Sequence, residues 1–217
     1  LSMQLAGACA EVASGQSWSN LFELRVKRPL GLTATTYGNS SNPRIAGGAS
    51  STLYEYATVL QMLLNHGLWG TNQVLSSNAV YVMQQDQTAG ALIQCSPYTK
   101  YGLGNTRYGI GEWREELRPD SSAYQIGSGG AFGFAPWIDL DHNVAGVFMV
   151  VNLMENVFPG VQQIKAAVRD AVDDTPCNHP PYLQIQPAGV NTNLVTLHGA
   201  RGRSYALESS GDLAAWT

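Results

Sequence analysis

The stretch Gly127-Ser128-Gly129-Gly130-Ala131-Phe132-Gly133 is the part of this chain that structure alone explains least. It lies among residues of strand character, yet glycine weakens a strand because it costs backbone entropy and offers nothing to pack. Clustered glycines fit a β-bulge. They also fit a place where a reacting carbonyl must approach bare backbone amides with no side chain in the way, the physical need of an oxyanion site. Other chemistry is missing. The chain has no Gly-x-Ser-x-Gly elbow, no Ser-x-x-Lys and no phosphate-cradling P-loop. His66, His142, His179 and His198 share no metal-ligand spacing with one another or with Cys9, Cys95 and Cys177, so no metal and no cofactor is expected. Asp139 and Asp141 flank a hairpin turn, where Asp is favoured for bonding to nearby backbone. Trp113, Phe132, Phe134 and Trp137 alternate with small residues and read as core.

The elements that must hold this segment are helices first and strands second. Leu5, Ala6, Cys9, Val12 and Ala13 recur at helical spacing over Ser2 to Ser14, with Gly15 as the cap and Cys9 expected to be buried. Ser17 caps a second helix over Trp18 to Val26, ended by Pro29 and Gly31. Thr33 to Gly48 is turn-rich. Thr52-Leu53-Tyr54-Glu55 is a capping box opening a helix with Leu53, Ala57, Leu60 and Leu64 inward, and a shorter helix runs from Ser76 or Ser77 to about Met83. Strand character then takes over at Lys100–Gly104, Tyr108–Arg114, Tyr124–Ile126, Ala131–Ile138 and Ala145–Asn152. Links this short impose antiparallel pairing, because a parallel pair needs a long crossover. Pro159 is expected to open a closing helix with Val161, Ile164, Val168 and Val172 on one face.

The fold class is therefore α+β: an antiparallel sheet flanked by helices over residues 1–174. A proline-rich linker over residues 175–182 follows, and residues 183–217 begin a small all-β module too short for a core of its own. With 44% hydrophobic and only 13% charged residues the chain is globular rather than disordered. A net charge of −4 gives no basic surface for nucleic acid, and no apolar run reaches the length of a membrane span. Cys95 and Cys177 lie in loops and can pair if the compartment is oxidising. The chain opens on Leu1 directly into a helical pattern and stops in a structured-looking segment, so it reads as a piece of a longer protein.

Ser128-Gly129-Gly130-Ala131-Phe132-Gly133, then Pro136-Trp137-Ile138-Asp139, then Ala145-Gly146-Val147-Phe148 resemble the third motif of the β-lactamase-related serine hydrolases and the strands after it. That family includes class C β-lactamases, D-alanyl-D-alanine carboxypeptidases and β-lactamase-fold esterases. Gln4-Leu5-Ala6-Gly7, Arg28-Pro29-Leu30-Gly31-Leu32, Asn42 to Gly48, Ser51-Thr52-Leu53 and Tyr101-Gly102-Leu103-Gly104 are similar to further family landmarks in the same order. The resemblance covers residues 1–174 and implies the C-terminal part of a β-lactamase/transpeptidase-like domain.

The resemblance implies an acyl-enzyme mechanism on carboxylic esters or amides, its Ser-x-x-Lys nucleophile and Tyr motif lying upstream of Leu1, so that this piece alone is inactive. Gly129 and Gly130 would shape an edge strand facing the nucleophile, and the Ala131 amide would be one oxyanion donor. Ser128 and Phe132 would touch substrate. Ser128 stands where the family carries Lys, His or Trp, which leaves no fixed cation for a substrate carboxylate and favours an esterase-like enzyme. The substrate would be a small ester or amide, or peptidoglycan-like. The alternative is a non-catalytic binding or scaffold relative of penicillin-binding proteins. Tyr205 to Ser210 with Asp212, Leu213 and Trp216 resembles strands of β-sandwich modules on secreted bacterial enzymes, which implies an extracytoplasmic location.

Overall fold

The computed structural model describes residues 2–174, 182–189 and 192–198. Cys177 and its possible pairing with Cys95, the prolines at 176, 180 and 181, and the Tyr205–Trp216 tail motif lie outside the described residues. The chain divides into two compact units, at Gln163/Ile164.

The first unit opens with α1 (Ser2–Ser14), α2 (Trp18–Phe22), one π-helical turn at Glu23–Lys27 and α3 (Arg28–Leu30). The Ser17 hydroxyl accepts from the Asn20 amide as the expected cap. The helical pattern of α1 is real, but its expected buried stripe faces outward: Leu5 is 66% and Val12 86% exposed, and Cys9 is exposed too. Gly7 is its buried contact, close under Ile45, and Gln4 reaches the Pro43 carbonyl and the Ile45 amide. Periodicity finds an apolar face without saying what covers it, and here the small residue packs while the large ones do not.

The helix α4 (Leu53–Leu64) begins at Thr52, whose hydroxyl accepts from the Glu55 amide at 3.2 Å. Its buried side is wider than the expected stripe and turned from it. Leu60, Met62, Leu63 and Leu64 are buried, while Leu53 is half exposed and Ala57 is exposed. A short hairpin, β1 (Leu68–Trp69) with β2 (Asn72–Gln73), leads to α5 (Ser77–Gln84), capped by Ser76. Pro97–Tyr101 is a turn of 3₁₀-helix and not the start of a strand, because the Ser96 hydroxyl caps it and Gly102 closes it in a left-handed conformation.

Four strands then form a meander, β3 (Trp113–Leu117), β4 (Ala123–Gly127), β5 (Phe134–Asp139) and β6 (Val144–Met149), adjacent in chain order and antiparallel throughout. Alternation along the strands divides the residues between two faces. Ile126, Ile138, Ala145 and Val147 pack with Leu60, Leu63 and Leu64 of α4. Ala135, Trp113 and Phe148 pack on the other face with Tyr98, Met154, Phe158 and Val161. These last three belong to α6 (Met154–Asp174), which starts five residues before the expected Pro159. Its opening is fixed by the Leu153 amide on Asn152 Oδ1 and the Met154 amide on the Ala131 carbonyl, so Pro159 falls inside the helix. A Cβ at Gly146 would lie 2.2 Å from the Trp137 ring, so the glycine is what lets the indole cross β6. The Asp139 carboxylate accepts from the Asp141 and His142 amides, the turn role its position suggested.

The second unit contains the rest of α6 and an antiparallel hairpin of β7 (Tyr182–Gly189) with β8 (Thr192–His198), its register shifted near Pro187. β7 begins at Tyr182, one residue inside the expected linker.

Candidate functional site

The glycine-rich segment leaves β4 at Gly127 and returns at Phe134. Gly129 and Gly130 lie beyond the end of β4, which β3 flanks as far as the Trp113–Gly127 pair. One expectation is corrected here. Ala131 to Gly133 is a turn rather than the start of a strand. The physical reason is Gly133, whose φ of +92° turns the chain where any Cβ would lie 2.5 Å from the Val150 carbonyl oxygen. The open stretch is therefore Ser128 to Phe132, past the point where β3 stops pairing.

Its hydrogen bonds can be followed group by group. The Ser128 amide donates to the Pro136 carbonyl, Gly130 to Phe134, and Gly129 to the Tyr98 phenol oxygen at 3.3 Å. The carbonyls of Ala131, Phe132 and Gly133 accept from the amides of Met154, Asn152 and Val150. The turn is thus tied along one side to the segment entering α6. Among the described residues, the amides of Ala131 and Phe132 have no partner, and both residues are exposed. Phe132, which alternation alone placed in the core, is 75% exposed.

Two polar groupings flank this segment, one on each face of the sheet. On the α6 face, the Tyr98 hydroxyl donates to Glu115 Oε1 at 2.9 Å, and Gln125 Nε2 donates to Glu115 Oε2 at 2.9 Å. Tyr98 is buried, and burial, reinforced by the Glu115 charge, pushes its phenol well above the usual range. It stays a neutral donor to Glu115 and an acceptor for Gly129. Tyr98 is thus the strut under the glycine segment. Sequence reading missed it, and the one signal available was Ser96-Pro97 opening a helical turn before it.

Trp113 pairs with Gly127 and Arg114 with Ile126, and Glu112 and Ser128 are the residues just past the last pair. Both line a cavity of about 180 Å³ between α4 and the sheet. Glu112 is 5% exposed, and its Oε1 has no hydrogen-bond partner among the described residues. Desolvation pushes its carboxyl up to about 8, with Arg114 pulling the other way. Nothing in the sequence marked Glu112, because a lone acid beside a strand is most often solvated. Among the described residues no group of His, Cys, Asp and Glu is placed to hold a metal, and no helix is long and apolar enough to cross a membrane.

Neither a protein-family model nor a curated protein sequence matches the chain. Solved structures do. A β-lactamase candidate from Bacteroides dorei is 35% identical, with a TM-score of 0.63 over 70% of this chain and 48% of its own. This chain is a structural match to the β-lactamase-related serine-hydrolase family. Its mixed α+β architecture, an antiparallel sheet with helices, corresponds to part of the β-lactamase/transpeptidase fold. More distant likenesses show the fold alone. A β-lactamase from Mycobacterium bovis is 17% identical, with a TM-score of 0.58 over 77% of this chain and 62% of its own. Simvastatin synthase (LovD) from Aspergillus terreus is 19% identical, with a TM-score of 0.55 over 69% and 48%. The chain spans about half the length of the first and third of these relatives.

Proposed function

We propose that this chain is the oxyanion-side part of a serine hydrolase that acts on small carboxylic esters or amides through an acyl-enzyme. The single observation that carries this reading is the pair of unpartnered, exposed amides at Ala131 and Phe132, in a turn whose carbonyls are all committed. Two adjacent N–H groups held by a braced turn need no reorganisation when a carbonyl oxygen gains charge. Ser128, Gly129 and Gly130 form the approach to that turn, and Ser128 and Phe132 are the side chains that flank bound substrate. The nucleophile and its base are supplied by a Ser-x-x-Lys outside these residues, which the chain's span of about half its relatives supports.

The test is acylation of the longer protein that carries this chain. With a p-nitrophenyl ester, a burst equal to one acyl group per protein is expected, with the adduct located by mass spectrometry on a serine outside residues 1–217. The 217-residue chain alone should show no burst. No adduct in the longer protein would leave a binding domain instead. We further propose that the protein works outside the cytoplasm, supported by the likeness of the tail to modules of secreted enzymes. Fractionation that finds it in the cytoplasm would overturn that.

A further inference from the structure

The cavity between α4 and the sheet has apolar walls from Val59, Leu63, Ile126 and Ile138, and only Glu112 brings an ionisable carboxyl to it, beside Ser128. At about 180 Å³ it is smaller than the roughly 300 to 1,000 Å³ of a pocket that takes a whole drug-sized ligand. It is also far larger than the roughly 15 Å³ that one water needs. Its size suits a short side arm of a substrate. Glu112 is nineteen-twentieths buried and lines the cavity, and its Oε1 meets no donor among the described residues. Ser128, which lines the same cavity, carries no charge. Arg114 does not close the gap: its Nη2 donates to the Ser121 carbonyl, and it makes no ion pair with Glu112 within 4 Å.

We propose that this cavity is a subsite for a primary amine on a short apolar chain, with Glu112 as the group that receives it. The inference rests on the reading that Ser128 borders bound substrate, and it names the substrate class: an ester or amide bearing a short aminoalkyl arm. An apolar wall with one buried acid selects against a carboxylate, which would face like charge or a protonated acid in a dry site, and favours an N–H donor that brings compensating charge. Proton accounting is simple. The empty site holds Glu112 as the neutral acid, burial having raised its pKa to about 8, and the ligand arrives as ammonium. The bound pair is carboxylate with ammonium, and the acid's proton leaves to solvent. The ionisable groups facing Glu112 are Arg114 of β3, Tyr108 before the strand, and Tyr56 of α4.

The probe is n-butylamine, titrated calorimetrically into the longer protein that carries this chain at pH 7 in two buffers of different ionisation heat, beside butan-1-ol, butanamide and butanoate. The amine should bind at least about tenfold tighter than the other three and release close to one proton, about what a group of pKa 8 carries at pH 7. Glu112→Gln should remove the preference and the proton release while the chain still unfolds cooperatively. Val59→Phe, which narrows the cavity and leaves the acid in place, should weaken amine binding to a similar extent. Equal binding of amide and amine, binding that survives both substitutions, or no amine binding would overturn the proposal. The assay needs no nucleophile. Failure here leaves the acyl-enzyme reading intact, and failure of acylation leaves an amine site.

Discussion

Glu55 and Glu112 are both buried carboxyl groups, yet one is surrounded by donors and the other has an oxygen that meets none among the described residues. Glu55 lies in the first turn of α4, and its two oxygens accept from the amides of Thr33, Ala34 and Thr35 and from the hydroxyls of Thr33 and Thr35, at 2.5 to 3.1 Å. The Ala34 amide first, then the Thr35 hydroxyl, hold its carboxyl at about 2. Glu112 is walled by apolar side chains and is held at about 8 by desolvation. Burial alone therefore says nothing about the charge of an acid. The count of donors aimed at it decides. Glu55 is a staple that ties the 33–35 loop to a helix, whereas Glu112 is a lone acid in an otherwise apolar wall.

Four substitutions test this contrast, and the largest effect is expected at Glu55. Glu55→Gln keeps the shape but turns an acceptor into a donor facing amides and hydroxyls, and should give the greatest fall in Tm of the set, read by circular dichroism at pH 7. The sign with pH is fixed. A carboxyl depressed on folding contributes stability that is complete above its unfolded value near 4.5 and is lost as pH falls toward 2. Glu55→Gln should flatten that acid limb. Glu112→Gln should act at the other end. A carboxyl raised on folding contributes stability that is complete below 4.5 and lost as pH rises through 8, so wild-type chain should weaken across pH 5 to 9 by on the order of a few kcal/mol. In the variant, urea melts over that range should lose this slope, and a slope that persists would place the titration elsewhere. Tyr98→Phe strands the Gly129 amide and removes one donor to Glu115, and should cost about 1 to 3 kcal/mol. The Gly129 amide resonance should shift with it, and an unmoved resonance would break the strut role. Thr52→Ala removes the α4 cap and should cost about 1 kcal/mol in urea unfolding.

The contrast also marks what could be read before the structure. Thr52-Leu53-Tyr54-Glu55 announced a helix start, and the Thr52 half of the capping box is present. The Glu55 half went to a loop twenty residues away, a partner no local spacing encodes. The meander was legible because alternation and short links leave few alternatives, and the glycine run was legible because it violates strand chemistry. That its open part begins after Gly127 was not, since it depends on where β3 stops pairing. Glu112 was invisible for the same reason: it lies beside Ser128 only because the β3–β4 pairing ends there and α4 closes over the cavity both line. The outward turn of Leu5, Cys9 and Val12 was hidden because a helical repeat fixes a face and not its neighbour.

Gly146 under Trp137 carries a consequence for how sequences like this one can change. With the indole only 2.2 Å from where a Cβ would sit, no residue with a side chain enters position 146 while the indole stays. The reverse change, a smaller residue at 137, opens a hole that glycine cannot fill. The two positions are locked as a lineage pair: a relative that has lost one should have replaced the other, in the same step or through an intermediate that folds poorly.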